Sequence, residues 1–125
     1  MVPCPWALHA MRLLAEHPAI PFGIHLTVLC DGADYRWGPL TPRDKVLSLV
    51  DETGYFYRFD RMPDFLAHAR LDELDVEFRA QIEAVWRRAL AECGSQRLRE
   101  AERHGFTPSD FAESELAAFM AALKN

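Results

Sequence analysis

Phe22-Gly23-Ile24-His25-Leu26-Thr27-Val28-Leu29 is the stretch on which the fold turns. It is rich in β-branched and aromatic residues and lies between Pro21 and Asp31-Gly32, so it reads as a strand. A period of two sends Phe22, Ile24, Leu26 and Val28 to one face. Gly23, His25, Thr27 and Leu29 take the other. Both faces carry apolar residues, as expected of a strand covered on both sides in a layered α/β fold.

Helices flank this strand in sequence. Upstream, Ala7, Ala10, Met11 and Leu14 fall at i, i+3, i+4 and i+7 and share one face. Pro5 suits a first helical turn, where its missing N–H costs nothing, and Pro18 closes the segment. Downstream, Leu71, Leu74, Phe78, Ile82, Val85 and Ala89 form an amphipathic stripe that predicts a long helix, with Gly94 as its stop. A shorter helix is expected over Gln96–His104, stopped by Gly105. A last one is expected to start at Thr107 as N-cap with Pro108 in the first position.

Between strand and long helix, residues 31–63 are punctuated by Gly38-Pro39 and Thr41-Pro42. Val46–Val50 and Tyr55–Phe59 read as short extended runs. Asp51-Glu52-Thr53-Gly54 reads as the hairpin turn between them, with Gly54 free to take positive φ. An ordered, helix-poor span of this length suits a binding wall or lid.

The chain has 125 residues, enough for one domain. A closed barrel of eight strand–helix units needs about 250 residues, so this length does not make one. The formal charge of −5 lacks the basic excess of a nucleic-acid binder. No apolar run approaches the roughly 18–20 residues of a membrane span, and no secretory signal pattern opens the chain. The three cysteines, Cys4, Cys30 and Cys93, are widely spaced and make no CxxC. They point to reduced thiols and a cytoplasmic setting.

Five histidines, His9, His17, His25, His68 and His104, form neither HxxxH nor HExxH, so a local helical zinc site is excluded. His25 stands apart in mid-strand, and two readings stay open for it: a packed, hydrogen-bonded residue or a ligand. Trp6, Tyr35, Trp37, Tyr55 and Tyr57 gather around the strand and the irregular span. Flat rings with polar edges suit sugars, and they equally suit loops anchored into a small core. Asp51 and Glu52 are adjacent carboxylates that fit either an acid–base pair or a solvated turn. There is no GxSxG nucleophile elbow and no glycine-rich phosphate loop.

Four blocks in order carry a family likeness: Gly23-Ile24-His25-Leu26-Thr27, Tyr35-Arg36-Trp37-Gly38-Pro39-Leu40, Ser48–Tyr57, and Arg79-Ala80-Gln81-Ile82-Glu83. Together with the opening Met1–Ala7, they resemble the YdjC/ChbG-type carbohydrate deacetylases over residues 1–92. The resemblance implies an α/β fold, a partial, helix-rich (β/α) barrel segment with a few short strands. It leaves 93–125 as a helical tail without family match. It also implies hydrolysis of the acetamide of an N-acetylated sugar or oligosaccharide by water activated on a divalent metal, zinc or magnesium. The family's Gly-x-His-Leu histidine, a metal ligand, corresponds to His25. Tyr35, Arg36 and Trp37 are the substrate-binding candidates.

The family's Asp-Asp-Phe-Gly-like and His-x-Asp-Ser-His-like motifs do not occur here; the second position reads Cys93-Gly94-Ser95-Gln96-Arg97. A catalytic metal normally takes three protein ligands. The expectation is therefore a truncated deacetylase, weakly active or inactive alone. The alternative is a non-catalytic binding or assembly module, buried in a homo-oligomer.

Overall fold

A computed structural model describes residues 2–17, 19–20, 22–91, 99, 102–105, 107–110 and 113. The described chain runs α1 (Ala7–Glu16), β1 (Leu29–Cys30), β2 (Tyr57–Arg58), α2 (Met62–His68) and α3 (Leu71–Ala91), with short 3₁₀ turns between β1 and α2. Among the described residues the architecture is helix-rich α/β. The sheet has two strands, and β1 pairs with β2 in parallel, Leu29 opposite Tyr57 and Cys30 opposite Arg58.

The long helix forms where its apolar stripe predicts, from Leu71 to Ala91. Leu74, Phe78, Ile82 and Trp86 are buried along it. Each such side chain contributes roughly 1.5–3 kcal/mol on leaving water. The rest of the core comes from the irregular span and the strands: Val46, Leu49, Phe56 and Cys30 are fully buried and pack with Phe65 of α2. Tyr57 meets Phe65 edge to face, centroids 6.1 Å apart. Ser48 is pinned to the first turn of α3, its N–H and hydroxyl both donating to Glu73 Oε2 at 2.8 Å.

The strand expected over 22–29 is shorter than its composition predicts. Residues 22–28 lie outside any strand ladder, and pairing begins only at Leu29. The reason is the neighbour at Thr27, which is a side chain and not a strand. Gln81 Oε1 accepts the Thr27 N–H at 3.0 Å, and Gln81 Nε2 donates to the Thr27 carbonyl at 2.7 Å. One amide thus serves the backbone groups that a ladder would otherwise satisfy.

The expected hairpin forms only at its turn. Gly54 takes φ +78, and the Asp51 N–H donates to the Tyr55 carbonyl at 2.8 Å. Val50 and Phe56 make a single antiparallel bridge. Val46–Val50 is not extended throughout: Leu47–Leu49 coils into a 3₁₀ turn that buries Leu49. Tyr57–Arg58 pairs with β1 instead.

Most of the expected tail helices lies outside the described residues, as do Cys93, Gly94 and Pro18. Where the tail is described, its signals match local geometry. Gly105 takes φ +80. Asp110 N–H donates to Thr107 Oγ1 at 3.3 Å while Asp110 Oδ2 accepts the Thr107 N–H at 2.7 Å. That reciprocal pair is a capping box around Pro108.

Candidate functional site

His25 sits in the extended segment ahead of β1, and it is exposed. Thr27, two residues on, is buried and held by Gln81. The packed-residue reading of His25 therefore has no support in its burial. Its side chain is available to solvent or to a ligand.

Tyr35, Arg36 and Trp37 diverge. Tyr35 is 67% exposed and Trp37 only 4%. The Trp37 main chain is tied on both sides. Its N–H donates to Cys30 Sγ at 3.3 Å, and its carbonyl accepts the Phe56 N–H at 3.0 Å. Arg36 lies between the two extremes. Its Nη2 donates to Asp51 Oδ2 and, at 2.9 Å, to the Phe56 carbonyl. Its guanidinium also lies 5.6 Å from the Tyr55 ring centroid. Arg43 lies 5.3 Å from the same ring. Two cations on one exposed aromatic make a flat, amphipathic surface beside the 35–37 loop.

The adjacent carboxylates do different work. Asp51 is buried, against the expectation of a solvated turn residue. Its Oδ1 accepts the Thr53 N–H at 2.9 Å and the Thr53 hydroxyl, while Oδ2 takes Arg36. Burial pushes its carboxyl upward, but the bonds from Thr53 and Arg36 outweigh this and hold it below the usual aspartate value. Glu52 is exposed and pairs with Arg61. Asp51 is committed to structure and is not placed as a general base.

Sequence reasoning missed Glu77 and Gln81, both fully buried on α3. Glu77 Oε1 accepts the Leu40 N–H at 3.1 Å and Gln81 Nε2 at 2.8 Å. Glu77 Oε2 accepts the Thr41 N–H at 3.0 Å. Only their position beside the apolar stripe, one before Phe78 and one before Ile82, signalled burial.

Among the described residues, no group of three His, Cys, Asp or Glu side chains could hold a metal ion. His25 supplies one candidate ligand where a catalytic divalent metal normally takes three. The described residues do not fit such a metal by themselves. No helix among them is long and apolar enough to cross a membrane.

The family described as YdjC-like protein matches residues 1–91. A carbohydrate deacetylase from Thermoanaerobacter pseudethanolicus is 35% identical over 82 residues, covering 66% of this chain and 30% of that protein. A carbohydrate deacetylase from Enterococcus faecalis is 38% identical over 76 residues, covering 61% of this chain and 26% of that protein. A crystal structure from Enterococcus faecalis, provisionally described as a cellobiose-phosphate cleavage protein, superposes with TM-score 0.61 at 31% identity. It covers 71% of this chain and 32% of that one. The chain thus spans less than a third of each of these relatives. With most of its length matched, the chain belongs to the YdjC-like protein family.

Proposed function

We propose that this chain is the His25-bearing part of a cytoplasmic carbohydrate deacetylase-type hydrolase that removes acetyl groups from N-acetylated sugars. The observation that carries the reading is the family match across residues 1–91, within which His25, Tyr35, Arg36 and Trp37 all lie. The exposure of His25 and of Tyr35 supports a substrate-facing role for both. Arg36, fixed by Asp51, offers a rigid donor next to Tyr35 in sequence. Buried Trp37 then serves as the loop's anchor, with any sugar contact left to its neighbours. Free thiols at Cys4 and Cys30 fit a reducing compartment.

A (β/α) barrel and a divalent metal, zinc or magnesium, belong to this reading. His25 is the metal ligand proposed from this chain. The described residues offer no complete ligand set, so the 125-residue chain alone is expected to release little or no acetate. Acetate release from N-acetylglucosamine oligomers tests this, alongside the metal content of freshly purified protein and of His25→Ala. Substoichiometric metal and negligible release are expected. Robust turnover, with stoichiometric metal lost in His25→Ala, would overturn the incomplete-site reading.

One observation favours a second reading, a non-catalytic assembly module. Trp6, Leu47, Phe59 and Leu66 are all more than half exposed, apolar surface that a second copy would cover in such a module. A concentration-dependent oligomer by light scattering, with no acetate released in any chimeric context, would favour it.

A further inference from the structure

We propose that Gln81 and Glu77 are positioning residues that hold the His25 segment and the Tyr35–Trp37 loop in one fixed register. This rests on the reading of those two stretches as the substrate-facing part of the chain.

Burying two polar side chains completely on a helix that packs a core is costly unless each polar atom is used. Here each one is used, and on main chain that leads to the candidate site. Gln81 grips both backbone groups of Thr27, two residues after His25, at 3.0 and 2.7 Å. Glu77 accepts the N–H groups of Leu40 and Thr41 at 3.1 and 3.0 Å, three and four residues after Trp37. The 2.8 Å bond from Gln81 Nε2 to Glu77 Oε1 joins the two grips. The two side chains are one turn apart on α3, so they present to the same helix face.

The rest of the packing leaves this relay a specific task. Among the described residues the 22–28 segment has no strand partner: Leu26 and Val28 pack against the core, and the main-chain hydrogen bonds at Thr27 fix its register. The 35–37 loop is already tied at Trp37 to Cys30 and Phe56. Glu77 adds the second tie, beyond Gly38-Pro39, that fixes the loop's exit. Two tie points on one rigid helix remove the relative freedom of the two stretches, and fixed geometry of that kind is what a binding or catalytic site requires.

The test is amide hydrogen exchange and histidine imidazole NMR on the full 125-residue chain, with the His25 signal assigned by its loss in His25→Gln. Gln81→Met keeps length and removes all three side-chain amide hydrogen bonds, two to Thr27 and one to Glu77. The expected result is about tenfold or faster exchange at Thr27, faster exchange at Leu40 and Thr41, and a shifted or broadened His25 signal. Leu49, in the core, is expected to keep its protection. A uniform rise at every amide, or an unchanged His25 signal, would overturn the proposal. If Gln81→Met does not fold, Glu77→Gln carries the test. It keeps shape and leaves one of the Leu40 and Thr41 amides facing a donor. Faster exchange there together with a shifted His25 signal is expected, and an unmoved His25 signal overturns the proposal. None of these readouts uses catalysis. Failure of the deacetylase reading would show as absent acetate release from a folded chimera of residues 1–91 with a full-length relative, and would leave these readouts intact.

Discussion

Arg36, half-buried, and Asp51, buried, form an ion pair that closes the turn after β1 onto the turn before β2. Asp51 Oδ2 takes the guanidinium, and its Oδ1 takes the Thr53 N–H and hydroxyl. Arg36 also holds the Phe56 carbonyl, so one cation spans both ends of the irregular span. Removing Asp51 leaves that cation unpaired next to the core. Asp51→Asn is expected to cost about 2–3 kcal/mol, below the range for fully buried pairs because Arg36 keeps contact with water. The same pair predicts a pH dependence. The folded Asp51 pKa is depressed, so its stabilisation is complete above the ordinary aspartate value of about 3.9 and is lost as pH falls through the lower folded value. Urea midpoints measured from neutral pH downward should fall below about pH 4, and fall less in Asp51→Asn.

Gly54 is the position where the turn leaves no choice of residue. Its φ of +78 is strained for any side chain, and a Cβ there would stand 2.6 Å from Arg43 Nη1. The Arg43 guanidinium can move aside, whereas the backbone cannot. Gly54→Ala should therefore destabilise by about 1–2 kcal/mol, chiefly through the backbone. Adding Arg43→Ala should not restore the loss. Urea denaturation of the single and double variants checks both statements.

Phe56 is fully buried where the irregular span, β2 and α2 meet. Phe56→Ala is expected to cost about 3–5 kcal/mol, a large share of the total stability of a small domain. Thermal unfolding by circular dichroism should show a lowered midpoint. An unchanged midpoint would mean that the core is centred elsewhere.

The long helix was legible because its signal is local. Six apolar positions at helical spacing need no partner to be recognised, and α3 follows them from Leu71 to Ala91. The Asp51–Gly54 turn was legible for the same reason, since Gly54 carries the conformational requirement within itself. The strand was half legible. Composition gave an extended segment over 22–29, but its pairing depends on what lies beside Thr27, and that is Gln81, 54 residues away. Parallel pairing of Leu29 with Tyr57 was hidden too, because nothing in either run names its partner. At the candidate site, His25 was visible through its place in the Gly-x-His-Leu block. Glu77 was not, and Gln81 stood in the Arg79–Glu83 block without its role, because a buried polar residue on a helix looks like an exposed one until its partners are known. The burial of Asp51 was hidden on the same ground: a carboxylate in a turn reads as solvated unless the arginine 15 residues earlier is known to reach it.

We propose that residues 1–91 carry a working share of a carbohydrate deacetylase site, with His25 at its centre. The direct measurement is acetate release by a chimera in which these residues replace the stretch they match in the Thermoanaerobacter pseudethanolicus relative. N-acetylglucosamine oligomers serve as substrate, and circular dichroism confirms folding. Release by the chimera, and its loss in the chimera carrying His25→Ala, are expected. A folded chimera that releases no acetate, or one whose release survives His25→Ala, would contradict it.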